Sequence, residues 1–549
     1  MALMLIPAIL LSLICVSIGR CVFRVHQADQ HYQSFNNQEW KIDGLPWPIY
    51  WVRFLNANGF GCGPSCFVAI VLWLIDKLLV QPALQKSLHL MELAEQAGTV
   101  PAILCNAQAR HDMKERVQTF HDDLQSSQTL TPVAKVLNYS GAYMCLCHHS
   151  GLLALGLQVE VHQEQVVEPV FIVSLPRTGT TILHRTMAHD RERFRNFDLC
   201  DMIAPLHSNG PVARWDVEGR QALADHAQTL LDQLDAIYPG LADCLETMHG
   251  FRVNEADEDL GWYDTGLGHM YMDPLMKLAP ENRRKPRGCS GIEGKDVANY
   301  RYAWLAMIMR IYQTVDKFGW EQRKQQQQST SLEERMGEDT PLAAPAAQGH
   351  YDGPCPTEHL PWLMKDPNHS AYLPELLQVF PDAKFVFTHR APADIVPSMA
   401  KLFVCFCSVE HIPGAPGTTA REWGQEVLRR TKHYLDGMVD FTKQQQQQGE
   451  TSDLSLQKVG RTSTSTSRRR IDFNFSTVVQ DVPGTIDHIY AQFYPDAPSP
   501  SPEAKQAFAA YLTANEREKH GNQRRSLQDF HLTTKDVAFT EYKDMFLSF

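Results

Sequence analysis

At 549 residues the chain has room for two or more domains, each with its own core. Hydrophobic residues make up 44% and charged residues 21%, the balance of a globular protein, not of a disordered or fibrous one. A formal net charge of −12 argues against a general nucleic-acid binder, whose affinity rests on neutralising phosphates, so an anionic ligand would have to be drawn by local cations.

The chain opens apolar. Residues 2–18 are interrupted only by Pro7, Ser12 and Ser17 and are followed by Arg20 and Arg24, the pattern of a signal peptide or signal anchor. No basic stretch precedes the run, and Cys15-Val16-Ser17 is a poor cleavage site, so a retained anchor within residues 1–25 is the expectation. A second apolar stretch, residues 60–80, contains Asp76 and Lys77; it spans a membrane, lies at its surface or forms a buried helix. The expected setting is therefore membrane-associated and endomembrane, single-pass or two-pass, with orientation left open by the few flanking positive charges. Residues 26–165 otherwise read as mainly helical, with helices over 84–97, 113–124 and 132–137. Thirteen scattered cysteines show no disulfide framework, and the spacings Cys62-x3-Cys66 and Cys145-x-Cys147-His148-His149 are too loose to indicate a metal site. The sequons at Asn138, Asn368 and Asn474 add little, because Asn368 falls within a candidate site element.

Residues 170–175 form a run that is apolar except for Ser174, as expected of a strand buried on both faces, and Pro176 ends it by removing a backbone donor. The loop Leu175-Pro176-Arg177-Thr178-Gly179-Thr180-Thr181 then re-enters a helix at Ile182-Leu183-His184-Arg185. Gly179 permits a tight turn, so the amides of residues 178–181 converge at the positive end of that helix, while Arg177 adds a cation and the threonines add hydroxyl donors. This is an anion cradle. It differs from the nucleoside-triphosphate loop, which needs Gly, four residues and then Gly-Lys-Ser/Thr, since no lysine follows Gly179.

Further on, Phe197-Asp198-Leu199-Cys200-Asp201 offers two carboxylates, and Glu255-Ala256-Asp257-Glu258-Asp259 is an acidic run leading into Trp262 and Tyr263. Residues 302–318 repeat apolar positions at helical spacing. Residues 321–352, with their glutamine tract and Ala/Pro-rich end, read as a disordered surface insertion. Trp362-Leu363-Met364-Lys365-Asp366-Pro367-Asn368-His369 reads as a strand and the start of a crossover. Phe385-Val386-Phe387-Thr388-His389-Arg390 is another buried strand, followed by a helix beginning at Ala391-Pro392-Ala393-Asp394. Arg390 at the strand end and Ser398 two helical turns on can meet at one phosphate, for which the guanidinium is a better planar match than an ammonium. A second insertion, residues 443–470, carries glutamines, a Thr/Ser alternation and Arg468-Arg469-Arg470, expected as an exposed loop cluster. The closing piece contains a helix with Ile486, Ile489, Tyr490 and Phe493 on one face, and short elements at 526–532 and 539–542. Strands alternating with helices imply a three-layer α/β/α domain with a mostly parallel sheet over residues 166–549, its ligand at the carboxyl ends of the strands.

These motifs together resemble sulfotransferases that use 3′-phosphoadenosine 5′-phosphosulfate, and the Leu-Pro-Arg-Thr-Gly-Thr-Thr loop resembles their bacterial-type branch, related to the protein-tyrosine enzymes. The resemblance implies a phosphate-kinase-like fold, a donor held by Arg177, Thr178, Gly179, Thr180 and Thr181 at the phosphosulfate and by Arg390 and Ser398 at the 3′-phosphate, and no metal requirement. It also implies that Lys365 lies against the oxygen bridging sulfate and phosphate. For the base that accepts the acceptor's proton it implies either a carboxylate, Asp198 or Asp201, or His369. The acceptor would be a lipid, glycan or small alcohol or phenol hydroxyl, near a membrane and without nucleic acid, in an unspecified oligomeric state. The rival readings are a nucleotide kinase of the same fold and a non-catalytic membrane protein that binds the bisphosphonucleotide.

Overall fold

A computed structural model describes residues 72–127, 129–207, 210–237, 250, 252–266, 295–336, 355–408, 419–447, 469–515 and 526–547. A π-helical turn, Asp76–Val80, leads into α1, Gln81–Ala97, followed by α2, Ala107–Ser126, and α3, Pro132–Gly156. The central strand β1, Val170–Val173, runs through the loop into α4, Thr180–Ala188; α5, Leu199–Ile203, and α6, Val217–Ile237, come next. After the long α7, Lys295–Met336, come β2, Leu363–Lys365, α8, Leu373–Val379, and β3, Lys384–His389. The chain continues through α9, Pro392–Ser408, α10, Ala420–Gln447, β4, Arg470–Asn474, α11, Phe475–Gln480, and α12, Val482–Phe493. It closes with α13, Pro502–Ala514, and α14, Thr540–Phe546.

The four strands form one parallel sheet in the order β2-β1-β3-β4, with Ile172 opposite both Lys365 and Val386, and Phe387 opposite Asp472. Residues of β1 alternate between two cores, as the two-residue period of a strand requires. Phe171 and Val173 join the larger core with α1, α3, α7, α9 and α10, whereas Val170 and Ile172 join Leu183, Met187, Ile486, Ile489 and Tyr490 on the other face. The expected three-layer α/β/α architecture is therefore present. Every strand of a parallel sheet points the same way, so the carboxyl ends of β1, β2 and β3 deliver their following loops to one edge.

Three expectations change. Residues 321–336 are not loop but the end of α7, and 443–447 are the end of α10, because Gln, Lys, Glu and Arg are good helix formers and extend a helix already anchored by packing. Arg470, expected in an exposed cluster, is buried at the start of β4, where its guanidinium pairs with Asp472 at 2.8 Å and donates to Thr442 Oγ1. Arg469 donates to the Pro381 carbonyl at 2.6 Å. The remainders of both insertions, 337–352 and 448–468, lie outside the described residues, as does the candidate anchor 1–25. Of the second candidate membrane stretch, residues 72–80 are described: Asp76 is buried and accepts from Gln81 Nε2 at 3.0 Å and from the Tyr139 hydroxyl of α3 at 3.2 Å. Among the described residues no helix is long and apolar enough to cross a membrane.

Candidate functional site

The loop after β1 is built by two left-handed residues. Gly179 has φ +84° and is the N-cap of α4, where no side chain caps the helix, the geometry in which helix-start amides can meet an anion. Arg177 has φ +69°, a conformation a non-glycine residue adopts at a cost of about 1 kcal/mol, and one that ligand clamps characteristically hold. The Thr178 hydroxyl, expected as a donor to the site, is engaged elsewhere. It is buried, donates to the Leu175 carbonyl at 2.7 Å and accepts from Thr388 Oγ1 of β3 at 2.9 Å, so it ties the loop to the sheet. Thr180 is buried at the helix start and Thr181 half-buried beside it.

The second motif arrives at the same place. Arg390, just past β3, donates through Nη1 to the Arg177 carbonyl at 2.7 Å, and Arg177 donates through Nε to Ser398 Oγ of α9 at 2.9 Å. Two segments more than two hundred residues apart thus share one hydrogen-bonded cluster. The cluster brings two like charges together. Atoms packed around the Arg177 head, and then the like charge of Arg390, hold that guanidinium below its ordinary pKa, and a bound anion would relieve the repulsion. Arg390 also lies over the Phe475 ring at 4.2 Å, so the turn from β4 into α11 forms the far wall.

Lys365, at the end of β2, completes the third side. It is almost wholly buried, donates from Nζ to Thr181 Oγ1 at 3.3 Å, and forms an ion pair with Glu258. Sequence reasoning treated the acidic run as a group and did not single out Glu258. Each of its carboxylates is individually placed: Glu255 and Asp257 both hold Arg185 of α4 at 3.0 Å, and Asp259 sits 3.2 Å from His369 Nε2. Backbone bonds from Asp257 N to the Phe197 carbonyl and from Asp259 N to the Lys365 carbonyl, both 3.2 Å, dock the run beside the sheet edge. Phe475 was missed for a different reason: nothing local marks an aromatic at the end of a short strand as a cation platform.

The expected bases all have close partners in the fold. Asp198 is the N-cap of α5, in a reciprocal box with Asp201, and Arg220 of α6 holds both carboxylates, at 2.6 Å from Asp198 Oδ2 and 3.0 Å from Asp201 Oδ2. Burial works against the Asp198 charge, but Arg220, with Arg214 and Arg191 behind it, outweighs burial and holds the carboxyl below its ordinary value. A carboxylate so paired is a poor proton acceptor. His369 is fully buried, edge-on to Phe171 and with Nδ1 3.2 Å from the Tyr302 hydroxyl. Burial alone would lower its pKa, yet the Asp259 carboxylate beside it overcomes this and raises it, which favours the charged imidazolium over the neutral form a base needs. Beside it Asp366 is pushed up to about 7, by burial first and then by the neighbouring Asp259.

A parallel sheet with, after its inner strand, a helix start that no side chain caps, and with Arg177, Lys365 and Arg390 gathered at its carboxyl edge, is an arrangement of the kind that suits an anionic ligand. A model of the sulfotransferase family matches residues 169–496, and the chain belongs to that family. Among solved structures it is similar to sulfotransferase STF9 from Mycobacterium avium, with 16% identity and a TM-score of 0.52 over 83% of this chain and 96% of that one. It is also similar to sulfotransferase STF1 from Mycobacterium tuberculosis H37Rv, with 18% identity and a TM-score of 0.48 over 84% and 98%. At these identities the likeness to STF9 is one of fold. No curated protein matches the sequence.

Proposed function

We propose that the chain moves a sulfuryl group from 3′-phosphoadenosine 5′-phosphosulfate to an acceptor hydroxyl, leaving adenosine 3′,5′-bisphosphate. The observation that carries this reading is the joining of the two anion motifs, Arg390 to the Arg177 carbonyl and Arg177 to Ser398, which suits one ligand bearing charge at both ends. In this reading the amides at the start of α4, with Arg177, hold the 5′-phosphosulfate, and Arg390 and Ser398 hold the 3′-phosphate. Lys365, placed against Thr181, meets the oxygen that accumulates charge as the sulfur leaves it. Fixed cations and in-line positioning supply most of the rate, as in phosphoryl transfer. The apolar run at residues 2–18 supports a membrane-associated setting and hence an amphipathic acceptor, a lipid or glycan hydroxyl ahead of a small alcohol or phenol.

The test incubates full-length protein with donor carrying radioactive sulfur and a panel of lipid, glycan, phenol and short-chain alcohol acceptors. Wild type is expected to label at least one acceptor, and Arg177→Ala to lose at least about 100-fold of that transfer. Tight bisphosphate binding with no labelled product on any acceptor would identify a non-catalytic binder instead. Phosphate transfer from ATP would identify a kinase.

A further inference from the structure

Lys365 is held between two partners of opposite meaning. Thr181 Oγ1, at 3.3 Å, belongs to the anion loop, while Glu258 belongs to the acidic run opposite it. The lysine side chain is 3% exposed and that of Glu258 16%, so the carboxylate is the member of the pair that reaches solvent. Its position is fixed by its neighbours. Asp257 is clamped by Arg185 at 3.0 Å, and Asp259 accepts from the Tyr263 hydroxyl at 3.1 Å while lying against His369. Glu258 is therefore presented at the loop by two anchored residues, whereas Asp198 and Asp201 are committed to Arg220.

Resting on the sulfotransfer reading, we propose that Glu258 is the base that takes the acceptor's proton and that donor binding makes it available. In the donor-free chain the ammonium and the carboxylate neutralise one another. The phosphosulfate brings anionic oxygens that compete for Lys365, and drawing Lys365 toward the bridging oxygen releases Glu258 Oε1 to the acceptor. The acceptor O–H bond then breaks with its proton passing to Glu258, and the acceptor oxygen forms a bond to sulfur. The bond from sulfur to the 5′-phosphate oxygen breaks, its electron pair staying on the bisphosphate beside Lys365 and Arg177. When the bisphosphate departs, Lys365 returns to Glu258 and the proton leaves to solvent. An acceptor that binds before the donor meets a base still occupied by the lysine.

The test uses full-length protein and adenosine 3′,5′-bisphosphate as the probe, titrated calorimetrically into wild type, Glu258→Gln, Lys365→Ala and the double variant. Glu258→Gln removes the donor's competitor for Lys365, so it is expected to bind the bisphosphate about threefold to tenfold more tightly; Lys365→Ala binds it more weakly, and in that background the Glu258→Gln gain disappears. In single-turnover transfer to the acceptor labelled by wild type, Glu258→Gln is expected to be at least about 100-fold slower, and Glu258→Asp to recover to within about tenfold of wild type. Unchanged or weaker bisphosphate binding by Glu258→Gln, or transfer within about threefold of wild type, would overturn the inference while leaving sulfotransfer intact. Failure of the wild type itself to bind bisphosphate would instead remove the sulfotransfer reading, and this inference with it.

Discussion

Arg177 and Asp366 each occupy a state that their residue type ordinarily avoids. Arg177 is held left-handed, and its guanidinium reaches Ser398 across the cluster. Asp366 is buried, accepting from Asn368 N at 2.9 Å, and its pKa is raised to about 7 by burial and by Asp259. A raised carboxyl means that the folded chain holds a proton the unfolded chain has already lost. Its contribution to stability is therefore fully present below the ordinary value of 3.8 and fades as pH rises through about 7. His369, also raised, fades in the same direction. Asp366→Asn removes the first of these contributions, so relative to wild type the variant should gain at least about 1 kcal/mol between pH 5 and pH 8. Urea midpoints at the two pH values measure it; a difference that does not change with pH would contradict the assignment. At this scale the gathering of Arg177, Arg390 and Ser398, and of Lys365 against Thr181, was legible because strand ends and the helix starts that follow them lie at one edge of a parallel sheet, where chain direction says what each can reach. The partners of Asp198, Asp201 and His369 were not, because a titratable group takes its environment from charges that approach it from elsewhere.

Among the elements, β1, β2 and β3 announce themselves by apolar runs, while β4 does not. Its five residues include Arg470, Asp472 and Asn474, and only the sheet edge it completes explains them. Asp472 pairs with Arg470 and receives His389 Nε2 at 2.8 Å, so a strand polar in sequence is satisfied in place. The sequon residues show the same effect: Asn138 donates to the Ala134 carbonyl inside α3, and Asn368 accepts from the Tyr434 hydroxyl, both buried. The turn from β4 into α11 matters most for the site, because it brings Phe475 under Arg390 at 4.2 Å. Removing the ring leaves the guanidinium less well oriented, at a cost of about 1 kcal/mol to anything that depends on it. Phe475→Ala is therefore expected to weaken adenosine 3′,5′-bisphosphate binding by about fivefold with little change in melting temperature. Calorimetric titration alongside a melting curve separates this outcome from general destabilisation.

Taken as one body, the molecule depends on how α7 is tied to the sheet. Arg195, fully buried, pairs with Asp316 of α7 at 2.6 Å and donates to the Thr357 carbonyl, while Asp316 also accepts from Arg214 N at 2.7 Å and Thr357 Oγ1 at 2.9 Å. Arg195 N and O bond to Pro361 and Leu363 beside β2, so the pair couples the long helix to the strand that ends in Lys365. Asp316→Ala would strand a buried guanidinium and should destabilise the fold by about 3–5 kcal/mol, read as a fall in the denaturant midpoint. Loss of less than about 1 kcal/mol would show that water or Thr357 suffices for Arg195.

By itself the sequence determined the layered parallel fold and the strand-turn-helix geometry of the loop at residues 175–181, since a buried strand, a helix start and a glycine turn are local patterns with one physical solution each. Only the tertiary structure decided which cation each carboxylate meets. Asp198 and Asp201 go to Arg220, Asp259 goes to His369, and Glu258 meets Lys365 across 107 residues of chain. The reason is electrostatic: a carboxylate is defined by the nearest cation, and that cation is supplied by folding.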